Sequence, residues 1–299
     1  MRIVSLVPHA TELLFALGLG EQVVGVTHEC DHPSEAGGLP HVTRDVLPTG
    51  LSAAEIDREV KERTQRGEAI YALDERAVRA LEPDLIVTQE LCPVCAVSFD
   101  EVAKMAKGLP SCPKVVALDP KTFGETLGDA KTIAQVTGAR EAAIEHVKRT
   151  RERVDSVRRT LRDAGRALVP VVAIEWFDPV FISGHWTPQL IEYAGGFDVL
   201  GLPGEHSAQV MWEDVIAAAP EVVVAMPCGF DAATAYREAE LHLDTLRATG
   251  ARRVVAVDGG AYFSRPGPRL VEGLELLAHI LHPDLFPDAP GEVLEVPLA

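Results

Sequence analysis

Aromatic side chains are only 5% of the 299 residues, cysteine occurs five times, and basic residues are outnumbered, with 28 Lys and Arg against 45 Asp and Glu. Each shortage excludes something. A formal charge of −17 leaves no electrostatic footprint for nucleic acid or anionic lipid, so neither nucleic-acid binding nor membrane insertion is expected. No apolar run approaches the roughly 18 residues of a membrane helix. After Arg2 the first apolar stretch is interrupted by Pro8-His9 and Thr11-Glu12, so no secretory leader is visible. As given, the chain reads as cytoplasmic, and as periplasmic or otherwise extracytoplasmic if a leader precedes Met1. Cysteines this sparse and odd in number do not make a disulfide scaffold. Hydrophobic residues are plentiful at 47%, which excludes disorder and suffices for two domain cores.

Short β-rich apolar runs alternate with helical patterns. IVSLV (3–7), VVGV (23–26), LIVTQ (85–89) and KVVAL (114–118) form a first set; VPVVAIEW (169–176), EVVVAM (221–226) and RVVAVD (253–258) form a second. This is the pattern of an α/β protein with parallel sheets. Between the sets, residues 121 to about 165 hold no strand candidate, and Ile144, Val147, Val154, Val157 and Leu161 mark one apolar stripe of a long helix over 139–164. The predicted organisation is an N-terminal α/β lobe (1–120), a bridging helical segment (121–165) and a C-terminal α/β lobe (166–299). A continuous helix is a stiffer connector than a Gly/Ser linker, so large hinge closure is not expected.

The halves echo each other. His9 to Leu14 leads through a helical run to Gly18-Leu19-Gly20, and His185 to Leu190 leads through another to Gly195-Gly196, with Thr11 and Thr187 as expected N-caps, Pro188 at the first helical position and glycines at the helix ends. Leu81-Glu82-Pro83-Asp84-Leu85 is matched by Ala218-Ala219-Pro220-Glu221-Val222. Two such halves would place strand ends and helix starts around a shared ligand cleft.

Four cysteines follow predicted strands: Cys30 in THECDHP, Cys92 and Cys95 in a Cys-x-x-Cys pair, and Cys228 in MPCG, while Cys112 precedes a strand and is expected elsewhere. With His32, and with His28 or His185 as further donors, Cys30, Cys92, Cys95 and Cys228 could hold zinc or another soft metal ion if their loops converge. The segment from Glu175 to Trp186 packs two tryptophans and two phenylalanines into twelve residues, which suits a flat apolar wall, with Trp176 and Trp186 as its expected members and His185 as a nitrogen donor. Tyr262 and Arg265, after the last strand, would add a further side. No Gly-x-x-x-x-Gly-Lys loop, Gly-x-Ser-x-Gly elbow or His-Glu-x-x-His helix is present, so binding is favoured over catalysis. Two other readings stand beside it: a cytoplasmic metal-ion sensor or carrier built on the cleft Cys and His residues, and a zinc-dependent hydrolase with Glu29 or Glu175 as base.

The segments IVSLVPHATELLFALGLGEQVVGV, LEPDLIV, FISGHWTPQLIEYAGG, AAPEVVVA and RPGPRLVEGLELLAHIL resemble, in order and spacing, the cobalamin- and siderophore-binding proteins of ABC importers. The resemblance covers nearly the whole chain and is closest to the cobalamin-binding members. It implies two Rossmann-like lobes bridged by one helix, a non-enzymatic role, and a cleft for a corrinoid or similar metal chelate. The ligand-contacting loops it implies contain Pro8, His9, His28, Trp176, His185, Trp186, Tyr262 and Arg265, with His185, His28 or His32 as axial donor. It also implies docking on an ABC permease through one glutamate per lobe. Glu213 stands in the expected place before Pro220, whereas Arg76 occupies that register before Pro83 and Glu75 is shifted by one.

Overall fold

The computed structural model describes residues 1–90 and 97–298. The chain divides into two compact units, Met1–Pro120 with Glu125–Val147, and Lys121–Gly124 with Lys148–Ala299.

In the first unit the order is β1 (Ile3–Ser5), α1 (Pro8–Ala16), β2 (Val23–Gly25), β3 (Thr43–Asp45), α2 (Ala53–Gln65), β4 (Tyr71–Leu73), α3 (Glu75–Ala80), β5 (Leu85–Gln89), α4 (Phe99–Lys107) and β6 (Lys114–Leu118), followed by α5 (Phe123–Thr137). A parallel sheet runs β2-β1-β5-β6, with Ile3 opposite Leu85 and Leu85 opposite Lys114. A parallel sheet is covered on both faces, so its strands are apolar along their length rather than alternating; all five residues of β5 are buried. The two-residue period sorts them. Ile3, Leu85 and Val87 pack with Leu13 and Leu14 of α1 and Ile133 of α5, while Val4 and Ile86 pack with Val78 of α3 and Val102 and Met105 of α4. The antiparallel pair β3-β4 and helix α2 have no counterpart among the sequence expectations. Helix α2 starts on a capping box in which Ser52 and Glu55 each satisfy the other's backbone N–H.

Helix α6 (Arg140–Ala164) contributes residues to both units and spans 25 residues, about 37 Å at 1.5 Å per residue. Its buried face runs through Ala143, His146, Thr150, Val154, Val157 and Leu161, at steps of three or four. Ile144, assigned above to the apolar stripe, is instead 59% exposed, because it lies about 100° round the helix from Ala143. Thr150 closes the gap between Val147 and Val154 that the apolar count left open.

The second unit continues with β7 (Val169–Phe177), β8 (Val180–Ile182), α7 (Thr187–Tyr193), β9 (Gly196–Asp198), β10 (Ala208–Gln209), α8 (Trp212–Ala218), β11 (Val222–Ala225), α9 (Ala232–Glu240), α10 (Leu243–Ala248), β12 (Arg253–Val257), α11 (Gly259–Tyr262), α12 (Leu270–Leu281) and β13 (Val293–Glu295). Strand β7 pairs with β11 along one edge; along the other, its first residues pair with β9 and its last with β8. The parallel order β9-β7-β11-β12 repeats β2-β1-β5-β6 of the first unit. Local details repeat as well. Gly18 and Gly195 take φ of 73° and 83°, just after α1 and α7. Glu82 and Ala219, each before a proline, take φ of 43° and 45°. A residue before proline is barred from the α region, so the helix must end there, and the left-handed conformation supplies the ending.

Neither threonine is an N-cap. Helix α1 starts on Pro8 with Val7 as cap, and Thr11 lies inside the first turns, its hydroxyl 2.8 Å from Ser5 Oγ. Helix α7 starts on Thr187 itself, with Trp186 as cap and Pro188 second. Proline tolerates the first-turn positions that lack a carbonyl partner, so both helices begin as early as their prolines allow.

The two faces of α6 give a direct check. In urea denaturation Leu161→Ala is expected to destabilise by about 2–5 kcal/mol, and Ile144→Ala by less than about 0.5 kcal/mol; equal losses would contradict the assignment of the buried face.

Candidate functional site

The second unit gathers several of the expected side chains at the carboxyl end of β7. Cys228 N–H donates to the Glu175 carbonyl at 3.0 Å, which brings the loop after β11 beside the end of β7. Gly229 N–H donates to Ser264 Oγ at 3.3 Å, and Gly260 N–H to the Phe230 carbonyl at 3.2 Å, which ties that loop to the segment after β12. Trp176 is half-buried, its ring 5.4 Å from that of Phe230 and its indole N–H on the Asp178 carbonyl at 3.2 Å. Arg265 and Tyr262 are half-buried on the neighbouring segment, with Tyr262 donating to the Pro290 carbonyl at 3.3 Å. Phe230 has no counterpart among the sequence expectations, since a lone phenylalanine in a loop carries no periodic signal.

A second cluster lies on the other side of Glu175. The segments 183–187 and 204–207 cross closely: His185 N–H donates to the Glu205 carbonyl at 2.6 Å, and Gly204 N–H to the His185 carbonyl at 2.8 Å. A Cβ on Gly184 would stand 2.3 Å from Ser207 N, so only glycine permits the crossing. The crossing brings His185 Nε2 to 3.1 Å from His206 Nδ1, with the rings edge-on at 88°. His206 was not foreseen, because GLPGEHSAQ looks in sequence like an ordinary surface loop. Trp186 is 5% exposed and its indole N–H donates to the Phe263 carbonyl at 2.7 Å, so it anchors this loop from inside. Phe177 is core, at 1% exposure.

Beneath the crossing, Ser207 Oγ donates to the Glu175 carboxyl at 2.5 Å and Gly184 N–H donates to it as well. The residue is half-buried but its carboxyl end is enclosed, and this burial raises its pKa from the usual carboxylate range to about 7, against the opposing pull of the two hydrogen bonds. Asp198 is raised for the same reason while accepting hydrogen bonds from Ser183 Oγ, Leu200 N–H and Gly201 N–H.

In the first unit the expected residues are spread over different environments. Pro8 and His9 are buried in the first turn of α1, His9 at 3% exposure. His28 is half-buried, with Nδ1 2.8 Å from Thr43 Oγ1 and its ring 5.2 Å from that of Tyr71, whose hydroxyl donates to Glu29 at 2.9 Å. His32 is exposed. Cys30 is 2% exposed within the apolar core, its sulfur 3.1 Å from both Thr11 and Thr27 hydroxyls. Cys112 and Cys228 are exposed, and Cys92 and Cys95 lie outside the described residues. Among the described residues, no group of three or more His, Cys, Asp or Glu side chains is placed to hold a metal ion, and no helix is long and apolar enough to cross a membrane. Glu75 is the first residue of α3, and Glu213 the second of α8, both exposed; counted from the helix start, Arg76 is the equivalent of Glu213.

With parallel strands of matching order in its two main sheets, the chain belongs to the periplasmic binding protein family, whose model matches residues 3–249. It is 26% identical over 298 residues to the ABC transporter substrate-binding lipoprotein YvrC of Bacillus subtilis strain 168, covering 95% of this chain and 81% of that protein. It is 24% identical over 275 residues to the vitamin B12-binding protein of Pectobacterium carotovorum subsp. carotovorum strain PC1, covering 90% and 84%. In fold it is similar to a periplasmic heme binding protein of Pseudomonas aeruginosa, with a TM-score of 0.72, 19% identity, and 99% and 98% of the two chains covered. The family consists of ABC-transporter substrate-binding proteins, not enzymes, which removes the zinc-hydrolase reading.

The enclosed Glu175 carboxyl has a consequence for stability. Its native pKa lies above its unfolded value, so ionisation opposes folding as pH rises from about 4.5 towards 7. Glu175→Gln is therefore expected to stabilise the protein at pH 8, by at most about 3 kcal/mol, with the gain vanishing near pH 4. Thermal melts across that range check it, and a gain independent of pH would contradict the burial argument.

Proposed function

We propose that this protein is the extracytoplasmic substrate-binding component of an ABC importer and that its substrate is a corrinoid. The observation that carries this reading is the edge of the second unit where Phe230, in ring contact with Trp176, and the loop after β11 are tied to the Tyr262 to Arg265 segment, to which Trp186 also anchors the His185 crossing. A half-buried indole offers a flat apolar face, while Arg265 and His185 offer polar contacts, which suits a planar macrocycle edged with amides. The similarity to a vitamin B12-binding protein over 90% of the chain supports a corrinoid among the possible chelates.

On this reading Trp176, His185, Tyr262 and Arg265 are the ligand contacts of the second unit. Trp186 is buried and anchors the His185 loop through the Phe263 carbonyl, while Pro8 and His9 are buried in the first turn of α1. Glu213, exposed in the first turn of α8, is the docking group offered to a permease, with Glu75 its nearest acidic counterpart on α3. The corrinoid would bring its own cobalt, and the protein's part is to bind and orient it.

Titration with cyanocobalamin by calorimetry is expected to show saturable one-to-one binding at micromolar concentrations or tighter, with haem and a ferric siderophore binding more weakly. Trp176→Ala is expected to weaken cobalamin about tenfold, equivalent to about 1.4 kcal/mol. Binding of haem without cobalamin would overturn the corrinoid assignment.

A further inference from the structure

We infer that His185 and His206 together form a site for a divalent transition-metal ion that prefers nitrogen donors, such as copper(II) or nickel(II). The site is carried entirely by the second unit and does not rest on the corrinoid reading.

Three observations lead to it. First, the two ring nitrogens, His185 Nε2 and His206 Nδ1, are 3.1 Å apart. Two imidazole nitrogens each about 2.0–2.1 Å from one metal ion stand about 2.9 Å apart at a right angle and about 3.4 Å apart at a tetrahedral angle, so the observed separation falls within the bite of a chelating pair. Second, the pair is built into the backbone. His185 holds a left-handed φ of 51°, which a bulky side chain seldom takes, and it is kept there by the two backbone hydrogen bonds to Glu205 and Gly204 and by the contact that only Gly184 allows. Donors held in advance lose little freedom on binding an ion. Third, His206 is exposed and His185 half-buried, so an ion can reach the nitrogens from solvent, and the chain's charge of −17 favours its approach.

No third His, Cys, Asp or Glu completes the set among the described residues. The remaining coordination positions belong to water, and the ion would be open to ligands carried by another molecule. Binding takes both nitrogens as lone-pair donors, so the ring that carries its proton between the two switches tautomer and keeps that proton on its other nitrogen, with no net proton lost from the neutral pair.

The test is a copper(II) chloride titration of the whole chain after its accessible thiols have been alkylated, followed by calorimetry and electron paramagnetic resonance. One equivalent is expected to bind at micromolar affinity, with hyperfine structure from two nitrogens. His185→Ala and His206→Ala are each expected to weaken binding at least tenfold and to remove that two-nitrogen signature, while His41→Ala, at an exposed histidine elsewhere, leaves both unchanged. His206 is on an exposed loop, and a melting curve matching the parent confirms that its variant folds. Unchanged copper affinity and spectrum in His206→Ala would overturn the site. Cobalamin titration of His206→Ala, a residue not assigned to the corrinoid, reads the corrinoid proposal separately: copper binding lost with cobalamin binding kept leaves that proposal standing, and copper binding in a parent chain that fails to bind cobalamin leaves this one.

Discussion

A parallel sheet has to be covered on both faces, and that requirement organises each half of this protein. Parallel strands cannot be joined by tight hairpins, so each return between them passes through a covering segment. Strands β2, β1, β5 and β6 run in one direction, as do β9, β7, β11 and β12, while β8, β10 and β13 join the second sheet antiparallel. The carboxyl ends of β1, β5 and β6 therefore share one edge, as do those of β7, β11 and β12. Trp176 is the last residue but one of β7, Cys228 follows β11, Tyr262 ends the short helix α11 after β12, and in the first unit His28 follows β2. Within the second unit the gathering of Trp176, Cys228 and Tyr262 follows from the strand direction before any side-chain chemistry is considered.

The two halves solve the same packing problem with the same order of strands but differ in what they add. The first inserts α2 and the antiparallel pair β3-β4 between β2 and β5, and this insertion supplies Thr43 and Tyr71 to the surroundings of His28. The second adds β8 to the end of β7 and a long return through residues 199–209, and it is this return that meets residues 183–187. A backbone crossing so close that a Cβ would stand 2.3 Å from Ser207 N does several things together. It encloses the Glu175 carboxyl, lifts its pKa to about 7, and sets two imidazoles side by side.

Much of the fold is legible in the residues because burial on both faces leaves a strong signal. LIVTQ and KVVAL are strands over the whole of their expected ranges, and the long helix begins one residue after its expected start. The errors have local causes. Ile144, an apolar residue adjacent in sequence to the buried face, fits the expected stripe but lies outside the buried face, and threonine has the residue type of a cap at two helices that begin on or beside a proline. Propensity rules describe what a residue prefers at an end, whereas the position of that end was set by proline geometry and by the packing of the preceding loop.

The site was less legible than the fold. Trp176, His185, Tyr262 and Arg265 stood out because aromatic and basic residues after a strand are uncommon in so acidic and aromatic-poor a chain. His206 and Phe230 did not stand out, since loop residues have no period and their partners are 21 and 54 positions away. The amino-acid sequence by itself determined the class of fold and the repeat of its halves, because alternating apolar runs and helix-ending Gly and Pro residues act over a few neighbours, and the family was legible from the resemblance of whole segments in order and spacing. Only the tertiary structure decided that Trp186 is an internal anchor, that Cys30 lies under two threonine hydroxyls, and that His185 faces His206. Those outcomes depend on distances between segments remote in the chain, which packing and close backbone contact set and local pattern does not.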